Sequence, residues 1–230
     1  MLELWIEGTP DQVVEVANEG LAAAIATNPG IMARWTAGGQ SMESLIAYVC
    51  ERVNVPVYVQ LHGPTVADYL REMDALRRIS DKIHPKLVAT RAGLAATKQI
   101  AASGLKPLVT TISTLNQAFL SAAADAAYIA PYVGRIQDAG VDAYALIADI
   151  ARMYAQNGIS TQIAAASIRT PEQAESVLRA GAPIAVMQYE VYQRLLDSNM
   201  TQNWIDAFEA NWTQIQAQTG VTNPPHTAHP

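Results

Sequence analysis

Pro56-Val57-Tyr58-Val59-Gln60-Leu61, then Val66-Ala67-Asp68-Tyr69-Leu70-Arg71-Glu72-Met73-Asp74-Ala75-Leu76, then His84-Pro85-Lys86-Leu87-Val88: these three stretches decide how the rest of the chain is read. The outer two are short apolar runs bounded by turn or polar residues, the composition of strands. In the middle one, Val66, Tyr69, Leu70, Met73 and Leu76 recur at helical spacing. A strand, a helix and a second strand in that order form a βαβ unit, with parallel strands joined by a right-handed crossover.

The same alternation runs outward in both directions. Strands are expected near Leu2–Ile6, Ala24–Thr27, Pro56–Leu61, His84–Val88, Leu108–Ile112, Tyr128–Val133, Thr161–Ser167 and Ile184–Met187. The second and seventh are alanine-rich, and composition alone leaves them ambiguous. Helix starts are marked by Thr65, by Thr90 and by Thr170-Pro171-Glu172-Gln173, which has the form of a capping box with Pro at the first helical position. Gly104, Gly158 and Gly181 mark helix ends.

Eight strand–helix alternations point to the α/β class and a single (β/α)8 TIM barrel. The competing open doubly wound sheet, in its dinucleotide-binding form, carries a glycine fingerprint after the first strand. Here that position reads Glu7-Gly8-Thr9-Pro10, one glycine and then a proline. Beyond the eighth unit an additional amphipathic C-terminal helix is expected over Thr201–Gln218, with Trp204, Ile205, Phe208, Trp212 and Ile215 along one stripe. A closed barrel leaves little core for such a stripe, so packing on a neighbouring subunit is expected. Residues 1–219 are read as the barrel with this helix. Residues 220–230 are read as a flexible tail, frayed over Thr222–Pro230 with its three prolines and two histidines.

Composition excludes several function classes. Half of the 230 residues are apolar and 16% are charged, which suits a large buried core. A net charge of -6 and a pI near 5.2 argue against nucleic acid or an anionic membrane as a partner. The single Cys50 leaves no intrachain disulfide framework and no multi-cysteine zinc site. The start lacks a basic region followed by an apolar one, and no run reaches transmembrane length, so a soluble cytoplasmic protein is expected. Asn199-Met200-Thr201 and Asn211-Trp212-Thr213 are chance sequons in that setting.

In such a barrel the active site is built at the C-terminal ends of the strands. Those ends are Glu7, Thr27 and Asn28, Gln60 and His62, Lys86, Thr110, Tyr132 and Arg135, then Ser167 and Arg169. They are almost all polar and come from seven strands. One histidine and one carboxylate fall short of the three or four ligands of a catalytic metal, so the expected chemistry is organic and centred on Lys86. A lysine in an apolar strand either snorkels to water or is held dry, where it loses proton affinity and attacks carbonyls to form an imine.

Four stretches resemble one family. Ala26-Thr27-Asn28-Pro29-Gly30-Ile31 is similar to the T-T-N-P-S-I turn of transaldolases, and Lys86-Leu87-Val88-Ala89-Thr90-Arg91-Ala92-Gly93-Leu94 to their K-V-P-V-T-x-x-G-L stretch. Tyr128-Ile129-Ala130-Pro131-Tyr132-Val133-Gly134-Arg135 resembles Y-V-A-P-Y/F-V-x-R, and Ala165-Ala166-Ser167-Ile168-Arg169-Thr170 resembles A-A-S-F/I-K/R-T/N. The resemblance covers essentially the whole chain. It implies an (α/β)8 barrel, no metal, no cofactor, a sugar phosphate substrate, and decamers of two stacked five-membered rings with C-terminal helices crossing to neighbours. Within the family, Gln60 and Tyr132 look like those of fructose 6-phosphate aldolases.

The resemblance also implies roles. Lys86 attacks the C2 ketone of a ketose phosphate, the iminium draws electrons from C3, and the C3–C4 bond breaks once the C4 hydroxyl is deprotonated. The enamine is then protonated and hydrolysed (aldolase) or attacks a second aldehyde (transaldolase). Tyr132 acts through a water held by Gln60 and Thr110. Asn28, beside Thr27, orients the dihydroxyacetone hydroxyls. Arg135 and Ser167, with Arg169, hold the phosphate.

The chain departs from the pattern at two places. Glu7 stands where the family has aspartate; the extra methylene shifts the carboxylate by about one bond length, a displacement that can cost about a hundredfold in rate. His84-Pro85 replaces an apolar dipeptide before Lys86, and a proline inside a strand predicts a bulge that re-aims the lysine. Other roles stay open on the residues alone. Tyr132, Gln60 and Thr110 also suit polar layers inside a barrel, Asn28 a turn, Arg135 and Arg169 surface ion pairs, and His62 the rim. A sugar-phosphate-binding barrel with an idle lysine is the non-catalytic alternative.

Overall fold

The computed structural model describes residues 1–221. Its strands close into one parallel barrel in sequential order. They are β1 (Glu3–Glu7), β2 (Ala22–Ala26), β3 (Val57–Gln60), β4 (Ile83–Val88), β5 (Leu108–Ile112), β6 (Tyr128–Pro131), β7 (Gln162–Ile168) and β8 (Ile184–Gln188). Each expected strand is present, with ends displaced by one or a few residues. The connecting helices are α1 (Pro10–Asn18), α2 (Pro29–Trp35), α3 (Met42–Arg52), α4 (Val66–Arg77), α5 (Arg91–Ala102), α6 (Leu115–Ala123), α7 (Val133–Asp138), α8 (Ala143–Gln156), α9 (Pro171–Arg179) and α10 (Tyr189–Tyr192). Met1–Gln193 form one compact unit, and a second begins at Arg194. Within the second, α11 spans Asn199–Thr219 and buries none of its residues; Trp204 is 57% and Phe208 69% exposed. The expected frayed stretch 222–230 lies outside the described residues.

The barrel interior explains why two strands are alanine-rich. Alternate residues of a barrel strand point inward, and the inner cluster consists of Trp5, Ala24, Ala26, Tyr58, Leu108, Ala130, Ala164, Ala166, Ile184 and Val186. Trp5 and Tyr58 stack at 4.6 Å, and Tyr128 meets Trp5 edge-on at 4.9 Å. These large rings fill the lower barrel only because β2, β6 and β7 present methyl groups. Packing thus overrides the weak strand propensity of alanine at β2 and β7. The outward-facing residues of the strands pack against the helices in two larger clusters.

Thr65, Thr90 and Thr170 cap α4, α5 and α9 by accepting from backbone N–H groups, and Gly104, Gly158 and Gly181 follow helix ends at positive φ. The capping box expected at Thr170 is only half made. Gln173 gives its N–H to Thr170, but its Oε1 accepts from Arg169 N at 2.7 Å, one residue before the cap. Complete boxes form instead at Thr9 with Gln12 and at Thr65 with Asp68.

The bulge expected at Pro85 does not form. Pairing of β3 with β4 runs in regular register through Val59↔Pro85 and Gln60↔Lys86. Pairing with β5 is registered only from Lys86↔Leu108 onward, so the absent proline N–H falls before that ladder and removes nothing from it. Register shifts occur instead on β1/β2, β5/β6 and β7/β8. Two of them carry non-glycine residues at positive φ, Thr111 at 64° and Ser167 at 60°. Left-handed backbone at such residues stores strain and re-aims a side chain. Both lie near the C-terminal ends of their strands.

Candidate active site

Lys86 is the deepest element of the site. Its position inside β4, two residues after His84, turns it into the barrel, where it is 0% exposed. Its Nζ donates to the Thr27 carbonyl at 2.9 Å, and its own carbonyl accepts from Leu61 N. The snorkelling alternative is therefore not the one adopted. Thr27 reaches it through the backbone only, since the Thr27 hydroxyl is spent on the Tyr58 carbonyl at 3.0 Å. Gln60 is the register partner of Lys86 on β3, and Thr110 sits opposite Val88 on β5. Thr110 Oγ1 is buried and makes no hydrogen bond within the protein. A buried hydroxyl without a partner costs about 1–3 kcal/mol, which fits a group reserved for something other than the fold.

Tyr132 stands where β6 ends and α7 begins. The expected strand to Val133 stops two residues early, leaving Tyr132 in an isolated bridge to Ala166 and as the residue before the helix. Its ring centroid lies 5.9 Å from Lys86 Nζ, and the Arg135 guanidinium carbon lies 5.1 Å from the same ring. One ring is thus flanked by the buried amine and by a cation at the mouth.

A cavity of about 150 Å³ opens at this end of the barrel, lined by Glu7, Asn28, Arg34, Arg135, Ser167 and Gln188, among others including Tyr132. Glu7 is 5% exposed. Burial pushes its carboxyl above the usual range, against the opposing pull of the Lys86 charge, the Asn28 hydrogen bond, and the charges of Arg34 and Arg135. Asn28 has two duties. Its Oδ1 caps α2 by accepting from Ile31 N at 3.1 Å, which aims its Nδ2 at Glu7 Oε1, 3.4 Å away.

The site therefore brings together Lys86, Tyr132, Glu7, Asn28, Arg135 and Ser167, with Gln60, Thr110 and Thr27 around the lysine. Arg169 is elsewhere: it makes two bonds, of 2.9 and 2.7 Å, to Asp138 at the surface. That pair holds the Asp138 carboxyl below its usual range. Arg169 also packs across Gly134, where a Cβ would meet Arg169 Nε at 2.7 Å and the Ser167 carbonyl at 2.8 Å; only glycine allows α7 to approach β7 so closely. His62 lies exposed at the rim, its backbone N–H and Nδ1 both directed to Glu72.

Sequence reasoning missed two lining residues with polar side chains, Gln188 and Arg34. Gln188 ends β8 and is the register partner of Glu7 across the barrel closure. Applying the strand-end rule to the eighth strand, one residue past its expected end, would have found it. Arg34 lies on α2, three residues after the buried Ile31 and six after the capping Asn28. Helical spacing puts Ile31 and Arg34 on neighbouring faces, a signal that inspection of strand ends alone passes over.

The Glu7 environment predicts a pH signature. A carboxyl whose folded pKa exceeds its unfolded value contributes stability fully present below the unfolded value and lost as pH rises through the folded one. Glu7→Gln is therefore expected to gain stability relative to wild type as pH is raised above the ordinary value of 4.5. Thermal unfolding of both proteins across a pH series measures this, and a difference that stays constant with pH would refute it.

The sequence profile of the family Transaldolase/Fructose-6-phosphate aldolase matches residues 7–225. A probable transaldolase from Moorella thermoacetica is 32% identical over 216 residues, covering 94% of this chain and 99% of the relative. "Probable transaldolase 1" from Listeria monocytogenes serotype 4b is 34% identical over 216 residues, covering 92% and 98%. A probable transaldolase from Streptococcus equi subsp. zooepidemicus is 30% identical over 216 residues, covering 94% of this chain and the full length of the relative.

Proposed function

This chain belongs to the transaldolase/fructose-6-phosphate aldolase family, and on that premise we propose that it is a Schiff-base aldolase acting on the C3–C4 bond of a ketose phosphate such as fructose 6-phosphate. The observation that carries the reading is the fully buried amine of Lys86, 5.9 Å from the ring of Tyr132, which lines the polar cavity. The amine adds to the C2 carbonyl, water leaves, and the iminium accepts the electron pair of the C3–C4 bond. An aldehyde departs, here glyceraldehyde 3-phosphate, and the enamine is protonated and hydrolysed to dihydroxyacetone. Tyr132 and Thr110, with Gln60, supply proton transfer through a water; the unpartnered Thr110 hydroxyl supports this role. Asn28 and Glu7 orient the hydroxyls near the imine, and Arg135 with Ser167 faces the anionic end. Arg169 and Thr27 act indirectly in this reading, one by packing across Gly134 and the other by presenting its carbonyl to Lys86.

Borohydride reduction in the presence of dihydroxyacetone or fructose 6-phosphate tests the proposal by mass spectrometry. One reduced adduct on the peptide containing Lys86 is expected. No adduct with any ketose would leave the non-catalytic binding barrel as the reading. Transfer to a second aldehyde is the alternative activity, favoured by the names of the relatives. It is recognised by turnover that appears only when an acceptor is added.

The exposed aromatic residues of α11 support self-association, and the proposed assembly is a decamer of two five-membered rings. Sedimentation velocity is expected to give one species of about ten chains; a monomer at micromolar concentration would overturn this. No helix among the described residues is long and apolar enough to cross a membrane.

A further inference from the structure

We infer that a second ligand site lies at the opposite, N-terminal end of the barrel, and that it takes a small zwitterion, an amino acid with an apolar side chain. That site is independent of the chemistry proposed for Lys86.

A cavity of about 250 Å³ opens at this end. Glu3, Trp5, Tyr58, His84, Lys106 and Tyr128 line it, all within two residues of a strand start. It shares no lining residue with the cavity beside Tyr132. Trp5, Tyr58 and His84 each stand two residues before Glu7, Gln60 and Lys86 on the same strands, about 7 Å along them. The N-terminal face of a TIM barrel ordinarily serves stability, which closed packing meets best. Here the packing stops short of closure. Trp5 stacks on Tyr58 at 4.6 Å, His84 stacks on Tyr58 at 5.4 Å, and Tyr128 meets Trp5 edge-on at 4.9 Å. Ala23 and Pro56 add apolar surface. The space is smaller than the roughly 300–1,000 Å³ of sites for drug-sized ligands, so its ligand is a small metabolite with an apolar part.

Three polar groups specify that ligand's charges. In a closed ring of eight strands β1 and β5 are four apart, so Glu3 on β1 and Lys106 just before β5 stand on opposite walls. The two do not meet, and neither has an ion-pair partner among the described residues. Glu3 Oε2 accepts from the Trp5 indole N–H at 2.8 Å, which holds the carboxylate beside the rings. His84 Nδ1 is buried and makes no hydrogen bond within the protein. Burial, with the charges of Arg77 and Lys106, pushes the His84 pKa down, so its neutral ring offers one donor and one acceptor. Arg77 itself does not line the cavity; its guanidinium is bonded to the Asp81 and Ile83 carbonyls.

A purely anionic ligand would meet Glu3 as a like charge, and a purely cationic one would meet Lys106. An ammonium group at Glu3 gains a carboxylate and aromatic neighbours. A carboxylate at Lys106 gains an amine and the His84 imidazole. A zwitterion satisfies both walls at once, and the rings receive its side chain.

Ligand-observed NMR titration of the full chain with alanine, proline, leucine and phenylalanine tests the inference. At least one is expected to bind, one per chain, with Kd at or below about 1 mM. Its deaminated acid and its decarboxylated amine should each bind about tenfold or more weakly, the scale of one charge-assisted hydrogen bond. Glu3→Gln keeps an oxygen for the Trp5 indole; it should weaken the amino acid about tenfold and leave the deaminated acid no weaker. Lys106 is exposed, so Lys106→Gln keeps the fold; it should weaken the amino acid similarly and leave the amine no weaker. His84→Phe, which keeps the stacking, should cost about threefold. Lys86→Met should bind the same amino acid within about twofold of wild type. No binding of any of the four at about 10 mM, or equal binding of the acid or the amine, would overturn the zwitterion site. Affinity unchanged in both Glu3→Gln and Lys106→Gln, or lost in Lys86→Met, would place the ligand elsewhere and overturn it as well.

Discussion

Lys86→Met is expected to remove turnover by about 10⁴-fold or more, the scale on which loss of a covalent nucleophile is felt, while leaving the protein as stable as wild type or more so. The two halves of that expectation come from the same geometry. Lys86 is 0% exposed and its Nζ has one hydrogen-bond partner, the Thr27 carbonyl. An amine buried in this way with a single partner is expensive to keep dry, and replacing it by an apolar group of similar volume is expected to be neutral or stabilising. Methionine has nearly the length of the lysine stem and fills the same space without an amine to desolvate. A costly amine kept at this position fits the chemical role proposed for it. Thermal unfolding and the borohydride adduct should be measured on the same preparations. Loss of activity with a rise in unfolding temperature and no adduct is the expected pattern. A variant that unfolds well below wild type and retains activity in its folded fraction would make Lys86 a structural residue.

Tyr132→Phe is expected to lower kcat by roughly two to four orders of magnitude, the usual contribution of a general acid–base group, with little change in stability. The ring is retained, so its packing beside Lys86 and Arg135 survives, and only the hydroxyl is lost. The adduct on Lys86 should still form on prolonged incubation, since the amine remains in place. That separates a proton-transfer role from a structural one. A Phe variant with wild-type kcat, or one that loses kcat and stability in proportion, would remove Tyr132 from the chemistry. Thr110 belongs to the same argument because its buried hydroxyl has no protein partner.

Glu7 and His84-Pro85 are the two places where the chain leaves its family's pattern, and the structure treats them differently. The proline is absorbed without a bulge, because the β4–β5 ladder begins after it. His84 stacks on Tyr58 at 5.4 Å and joins the aromatic filling of the lower barrel; burial there pushes its pKa down. The change at Glu7 lies in the site itself. Its longer side chain reaches Asn28 and shares the cavity with Arg34 and Arg135, whose charges act on its carboxyl.

The barrel was legible because period and punctuation are local properties. Val66, Tyr69, Leu70, Met73 and Leu76 can share a buried stripe only on a helix, and the short Val-rich runs on either side are too brief for one. Once eight such units are counted, the closed barrel orders the strand ends, which is why Lys86, Tyr132, Glu7, Asn28, Arg135 and Ser167 can be gathered from the sequence. Three things depended on tertiary structure. The Pro85 bulge was expected from a rule about strand interiors, but what matters is where the neighbouring ladder starts. Arg34 escaped because it approaches from a helix, and the direction of a helix is set by its cap and by the Trp35 contact with Gly8. Arg169 was grouped with the phosphate residues by its place after β7, yet Asp138 on α7 holds its guanidinium. The sequence by itself determined which side chains are carried to one end of the barrel, because alternation along a strand is fixed by the backbone. Only the tertiary structure decided which of their charges remain unpaired there, because pairing depends on residues distant in the chain.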